Sequence, residues 1–301
     1  MSETNRTLTQ RIERMTSKRV VQRRATSGGY STATREIITF DDGSSAFIKA
    51  GHDIPNSDLA TWIRREHRVY QTLTGNFLAL VLGFDDDGVE PILMLQDLSA
   101  AHWPPPWQLQ HIDAVLAALK QVAPQRFDEA RPIRDATHLL RGWQAVANDP
   151  TPFLALGLAT EGWLNAALPT LLNIDVETAV DGDALLHLDV RSDNMCLLPN
   201  RAILLDWNWV STGNANFDIA CWLPSLHAEN GPAPETILPN APEFATVMSG
   251  YFASCAGKPP NPQAPHVRVV QLQQLKTALP WAVRALGLPR QGLNLNIESA
   301  T

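Results

Sequence analysis

The residues that could do chemistry concentrate in one irregular stretch, Leu186-His187-Leu188-Asp189-Val190-Arg191-Ser192-Asp193-Asn194. Apolar Met195–Leu198 follows, then a Pro199-Asn200-Arg201 turn, then apolar Ala202–Leu205, which delivers Asp206. Two short apolar strands around a tight turn read as a hairpin, and a hairpin of this size brings Asn194 and Asp206 near each other. Asp189 lies five positions before Asn194 in the same loop. Magnesium takes hard oxygen ligands and neutralises phosphate charge. A further carboxylate can orient an attacking hydroxyl and accept its proton. Asp189, Asn194 and Asp206 together supply what phosphoryl transfer needs.

The order of these residues resembles the catalytic region of the aminoglycoside phosphotransferases and their relatives, the choline, homoserine and methylthioribose kinases. That family carries a His-Gly-Asp-x-x-x-x-Asn loop, an Ile-Asp-Trp strand end and a later Asp-Leu-Ala. The matching residues here are His187-Leu188-Asp189 with Asn194, then Leu205-Asp206-Trp207, then Phe217-Asp218-Ile219-Ala220. The resemblance implies that Asp189 is the catalytic base and that Asn194 and Asp206 hold Mg2+. It also implies that Asp218 braces the loop from the start of a helix and that His187 orients it. In such folds a strand lysine holds the α- and β-phosphates and pairs with a helix glutamate. Lys49 and Glu66 fit those positions, and Ser27-Gly28-Gly29 lies where a phosphate-covering loop belongs. Leu93–Leu98 resembles the hinge that contacts adenine, with Gln96 and Leu98 as nucleotide-binding candidates. The resemblance spans about residues 20–225. Two departures stand out: Leu188 replaces the usual glycine, and Arg191-Ser192-Asp193 replaces the usual His-Pro-Gly. Arg191 is read either as a contact to phosphate or substrate or as half of a surface salt bridge.

The elements that must position these groups follow from periodicity and turn chemistry. Strands are expected at Val20–Ala25, Thr32–Phe40, Ser45–Ala50, Ala79–Phe84 and Pro91–Leu95, with hairpin turns at Asp41-Asp42-Gly43 and Asp85–Gly88. A helix is expected from an N-cap at Ser57 to Leu73, buried through Leu59, Trp62, Ile63, Val69, Tyr70 and Leu73. Glu66 falls in the middle of that apolar face, where an ionised carboxylate is costly without a positive partner. Three consecutive prolines, Pro104–Pro106, mark a boundary. Beyond it the chain reads as helical at about 108–122, 136–146, 162–172, 217–223, 243–254 and 267–285, the last kinked or broken at Pro280. The expected fold is α+β and protein-kinase-like, with a β-rich N-terminal lobe (1–98) and a larger, mainly helical C-terminal lobe (99–301).

Composition narrows the function. A 301-residue chain that is 45% hydrophobic and 18% charged can bury a sizeable core. Its net charge of −7 is diffuse and offers no basic stripe for nucleic acid. Three cysteines without repeated spacing give neither a disulfide framework nor a zinc site, and free thiols suit a reducing cytoplasm. The polar start of the chain is unlike a signal peptide, and no apolar run is long enough to span a bilayer. The implied activity is transfer of the γ-phosphoryl group of ATP or GTP, with magnesium, to a hydroxyl of a small molecule. A protein kinase is disfavoured because Asp206 is followed by Trp207-Asn208, with no Asp-Phe-Gly and no Ala-Pro-Glu. The alternative is a nucleotide-binding pseudokinase or scaffold, against which the intact set Lys49, Glu66, Asp189, Asn194 and Asp206 argues. The acceptor and the oligomeric state are not encoded in any readable pattern.

Overall fold

The computed structural model describes residues 7–26, 33–51, 58–261, 264 and 266–295. The chain opens with helix α1 (Leu8–Thr16) and strands β1 (Val20–Ala25), β2 (Thr34–Phe40) and β3 (Ser45–Ala50). Helix α2 (Leu59–Thr72) and strands β4 (Val81–Asp85) and β5 (Ile92–Gln96) follow. Next come helix α3 (Leu109–Val122), the short strand β6 (Arg131–Pro132) and helices α4 (Thr137–Leu140), α5 (Gly142–Asn148), α6 (Thr151–Leu154) and α7 (Glu161–Asn173). Strands β7 (Ala184–Leu186), β8 (Met195–Leu198), β9 (Arg201–Leu204) and β10 (Ser211–Gly213) lead into helices α8 (Asn216–Ala228), α9 (Pro234–Ile237), α10 (Pro242–Ala256) and α11 (Val267–Leu286). The fold is α+β, as the sequence implies.

The chain forms two compact units. One comprises residues 1–103 with 193–208, and the other 104–192 with 209–301. The first unit is built on a five-stranded sheet in the order β1-β2-β3-β5-β4, antiparallel throughout. Strand alternation sends Ala46, Ile48 and Ala50 of β3 into a core with Ile12, Ile38, Phe40, Ile92 and Met94. Lys49, between Ile48 and Ala50, projects from the opposite face. Strands β8 and β9 form a separate antiparallel hairpin in this unit, pairing Met195 with Leu204 and Leu198 with Arg201.

Helix α1 closes the first unit. The sequence reading expects one helix ahead of the prolines, and the structure has two. Thr7 and Gln10 form a reciprocal capping box: the Gln10 N–H donates to Thr7 Oγ1 at 3.3 Å, and the Thr7 N–H to Gln10 Oε1 at 3.0 Å. Arg11 is buried at 3% exposure and anchors the helix to the β4–β5 turn. Its guanidinium donates to Asp85 at 2.6 Å, Asp87 at 2.8 Å and the Glu90 carbonyl at 2.8 Å. The acidic run at 85–87 thus does more than turn the chain: it binds a buried cation.

The second unit is mainly helical, with a small three-stranded sheet in the order β6-β10-β7. Helices α5 and α10 cross at a glycine pair, where a Cβ on Gly142 would lie 2.1 Å from the Gly250 carbonyl carbon. One proline expectation and one helix end are corrected. Helix α11 runs unbroken through Pro280, and α8 continues past Pro224 to Ala228. Both prolines are buried among their helix neighbours, and Thr277 Oγ1 donates to the Pro224 carbonyl at 2.7 Å. Packing outweighs the lost backbone bond at each site. The single helix expected over 136–146 is divided at Arg141 into α4 and α5. The expected N-cap Ser57 lies outside the described residues.

Candidate active site

In the first unit, Lys49 and Glu66 meet as the apolar helix face requires. Lys49 Nζ lies 2.6 Å from Glu66 Oε2 and 2.8 Å from Asp206 Oδ1. Lys49 is 4% exposed and Glu66 1%. The second Glu66 oxygen accepts the Asp206 backbone N–H at 3.2 Å, so Glu66 fixes the lysine and the strand end together. Asp206 follows β9 in a left-handed conformation, φ 62°, and its carboxylate also accepts from the Asn208 amide. Burial works against the Lys49 charge, but the two flanking carboxylates outweigh it and hold its pKa above the ordinary lysine value. Burial, opposed by Lys49, pushes Glu66 upward. The neighbouring Tyr70 hydroxyl is raised well above its ordinary value, first by burial and then by the Glu66 and Asp206 charges.

Asn194 and Asp206 stand at the open end of the β8–β9 hairpin. The Leu205 N–H donates to the Asn194 carbonyl at 2.8 Å, one step beyond the Met195–Leu204 pair. Asn194 is buried, while the Asp206 side chain keeps 27% exposure. A carboxylate and a side-chain amide are hard donors of the kind magnesium takes, two protein ligands being usual where phosphates complete the shell. Two carboxylates share one ammonium, so this cluster carries a net negative charge that a divalent cation would offset. The donor set fits magnesium on those grounds. Among the described residues, no three His, Cys, Asp or Glu side chains form a metal-binding group.

The hinge candidates divide. Gln96 pairs with Ala46 across the sheet, and its side chain accepts the Leu80 N–H ahead of the edge strand β4 at 2.8 Å. Leu98 is buried, and its carbonyl accepts from Ala101 N–H and Trp103 Nε1, both at 3.0 Å. Ser27, Gly28 and Gly29 lie outside the described residues.

In the second unit, β7 pairs with β10 and leads into the Asp189 loop. Asp218, in the first turn of α8, accepts the His187 N–H at 2.7 Å and the Leu188 N–H at 2.8 Å, one on each oxygen. Asp218 is 2% exposed, and burial pushes its pKa up despite those bonds and the nearby His187. Leu188 has φ 63°, which is why a glycine suits this position in the proteins the loop resembles. The Asp189 N–H donates to His187 Nδ1 at 3.2 Å. That bond uses Nδ1 as an acceptor. The Asp189 carboxylate is paired within its own loop: Arg191 Nε lies 2.9 Å from Oδ1, and an Arg191 terminal nitrogen 3.3 Å from Oδ2. Ser192 Oγ donates to Glu229 Oε1 at 2.5 Å, and Trp107 Nε1 donates to Glu229 Oε2 at 2.7 Å. Neither Glu229 nor Trp107 carries a sequence signal for this role. A hollow of about 480 Å³ elsewhere in this unit, lined by Arg134, Asp175, Glu177 and Asp181 among others, contains none of the predicted site residues.

No family model and no curated protein sequence matches the chain. Solved structures similar to it include a protein assigned as a fructosamine-3-kinase from Thermobifida fusca, with 16% identity over 91% of this chain and 98% of that one, at a TM-score of 0.49. An aminoglycoside-3'-phosphotransferase of type VIII is 16% identical over 85% of this chain and 93% of its own, at 0.45. A choline/ethanolamine kinase family protein from Mesorhizobium loti is 13% identical over 88% of this chain and 80% of its own, at 0.46. No helix among the described residues is long and apolar enough to cross a membrane.

Proposed function

We propose that the chain is a magnesium-dependent phosphotransferase that moves the γ-phosphoryl group of ATP or GTP to a hydroxyl of a small molecule. The observation that carries this reading is the buried Lys49 ammonium held between Glu66 and Asp206. A lysine and a glutamate are both kept from water, and the desolvation cost of such a buried pair often matches or exceeds its mutual attraction, so stability alone is a weak reason for it. A phosphate-binding ammonium, pre-aimed by a fixed carboxylate, accounts for it.

In this reading Lys49 holds the nucleotide phosphates, and Asn194 and Asp206 hold Mg2+. The bound cation neutralises charge on the phosphates. Asp189 accepts a hydrogen bond from the acceptor hydroxyl and takes its proton as the oxygen bonds to the γ-phosphorus. The bond from that phosphorus to the bridging oxygen breaks, and the nucleoside diphosphate leaves. Asp218 and His187 orient the loop without touching the reacting atoms. Direct in-line transfer suffices, with no covalent enzyme intermediate.

Calorimetry of ATP binding with and without magnesium tests the nucleotide half of the proposal. The parent should bind ATP in a magnesium-dependent manner, and Asp206→Ala should lose that dependence. Equal binding with and without the metal in the parent, or an unchanged metal requirement in the variant, would overturn the roles given to Asn194 and Asp206.

A further inference from the structure

We infer that Glu229 is a positioning residue for the loop that carries Asp189, acting through Ser192. The inference rests on the base role proposed for Asp189. Helix α8 grips that loop at two points on either side of the base. At its first turn, Asp218 accepts the His187 and Leu188 N–H groups. At its other end, Glu229 accepts the Ser192 hydroxyl. Glu229 is itself fixed, because its backbone N–H donates to the Ser225 and Leu226 carbonyls as α8 ends. Its second oxygen accepts the Trp107 indole N–H, and Trp107 tilts against the fully buried Trp222 of the same helix, ring centroids 5.3 Å apart. The carboxylate cannot swing away from Ser192 without breaking the Trp107 bond.

The chemistry of the contact separates it from an ordinary surface ion pair. Both partners of Glu229 are neutral donors, and among the described residues no cation pairs with it. The 2.5 Å separation puts the Ser192 hydroxyl in direct hydrogen-bond contact with the carboxylate. Ser192 follows Arg191, whose guanidinium holds the Asp189 carboxylate. Fixing Ser192 therefore fixes the backbone from which Arg191 reaches back to the base.

The test uses the full-length chain with Glu229→Ala, Glu229→Gln and Ser192→Ala. Glutamine can accept from Trp107 and donate to Ser192, so it should rescue the brace. Amide hydrogen exchange over residues 187–192 should speed up by about tenfold or more in Glu229→Ala and Ser192→Ala. In Glu229→Gln it should stay within about threefold of the parent. Steady-state ADP release should lose about 10²-fold in kcat in Glu229→Ala, with the nucleotide KM little changed, as for a misplaced but present base. Parental exchange and parental kcat in both Glu229→Ala and Ser192→Ala would overturn the inference with the proposed function intact. Lost protection in variants of a parent that turns over no acceptor would overturn the function and leave the brace standing.

Discussion

Replacing Lys49 by methionine removes the ammonium that Glu66 and Asp206 share. Methionine fills a similar volume, so the loss is electrostatic rather than a cavity. Asp206 keeps about a quarter of its side chain in solvent and can rehydrate, whereas the Glu66 side chain is 2% exposed and cannot. Breaking a buried pair by removing one partner costs about 3–5 kcal/mol, because the remaining charge is left uncompensated. The deficit should depend on pH in a defined sense. Burial already pushes the Glu66 pKa up, and losing Lys49 removes the main opposing influence. The folded variant then binds a proton at pH values where the unfolded chain, with a glutamate pKa of about 4.3, does not. A raised folded pKa favours the folded state below the unfolded pKa and loses that contribution as pH rises through the folded one. The deficit of Lys49→Met against the parent should therefore be full at pH 8 and shrink progressively toward pH 5. Urea unfolding of both proteins across that range reads it directly. Lys49→Met with Glu66→Leu should recover most of the lost stability, since replacing both partners by apolar groups is near neutral. A deficit under about 1 kcal/mol at pH 8, or one that does not change with pH, would refute the reasoning.

Three further outcomes follow from the packing. Arg11→Ala removes a buried guanidinium and its hydrogen bonds, and although Asp85 and Asp87 keep access to water it should destabilise the chain by about 1.5–3 kcal/mol in urea unfolding, with parental stability counting against the anchoring role of α1. Gly142→Ala places a methyl group 2.1 Å from the Gly250 carbonyl carbon and should lower stability by about 1–3 kcal/mol; a neutral result would mean that α5 and α10 can separate freely. Asp218→Asn turns one of two acceptors into a donor opposite the His187 and Leu188 N–H groups, and should cost about 2 kcal/mol with faster amide exchange at those two residues.

Much of this arrangement was legible in the sequence where the signal was local. The apolar, β-branched runs of β2, β3 and β5, turn residues between strands, and the three-four spacing of α2 each follow from neighbouring residues. The placement of Asn194 and Asp206 at one hairpin end follows from two apolar tetrads around a Pro-Asn-Arg turn. Glu66 was legible as an anomaly, a carboxylate on a buried face, and its answer lay in a strand lysine 17 positions earlier. Helix α1 was legible in principle: Thr7 and Gln10 have capping-box spacing, and Leu8, Ile12 and Met15 share a face. The charged residues between them hid it, because Arg11 is buried only by virtue of partners more than 70 positions away. Pro280 read as a helix breaker and α8 read as ending at Leu223, because the packing that tolerates the two prolines is tertiary. Glu229 gave no signal, since its two partners lie 37 and 122 positions from it.

The central claim is that Asp189 takes a proton from an acceptor hydroxyl as a phosphoryl group moves to it. Coupled measurement of ADP release, with ATP and magnesium against aminoglycosides, macrolides, choline, homoserine and simple sugars, tests this most directly when parent and Asp189→Ala are run side by side. The account predicts acceptor-dependent release by the parent that falls to background in Asp189→Ala while ATP binding persists. Near-parental turnover in Asp189→Ala would contradict the base assignment, and a parent that neither binds ATP with magnesium nor responds to any acceptor would contradict the phosphotransferase reading itself.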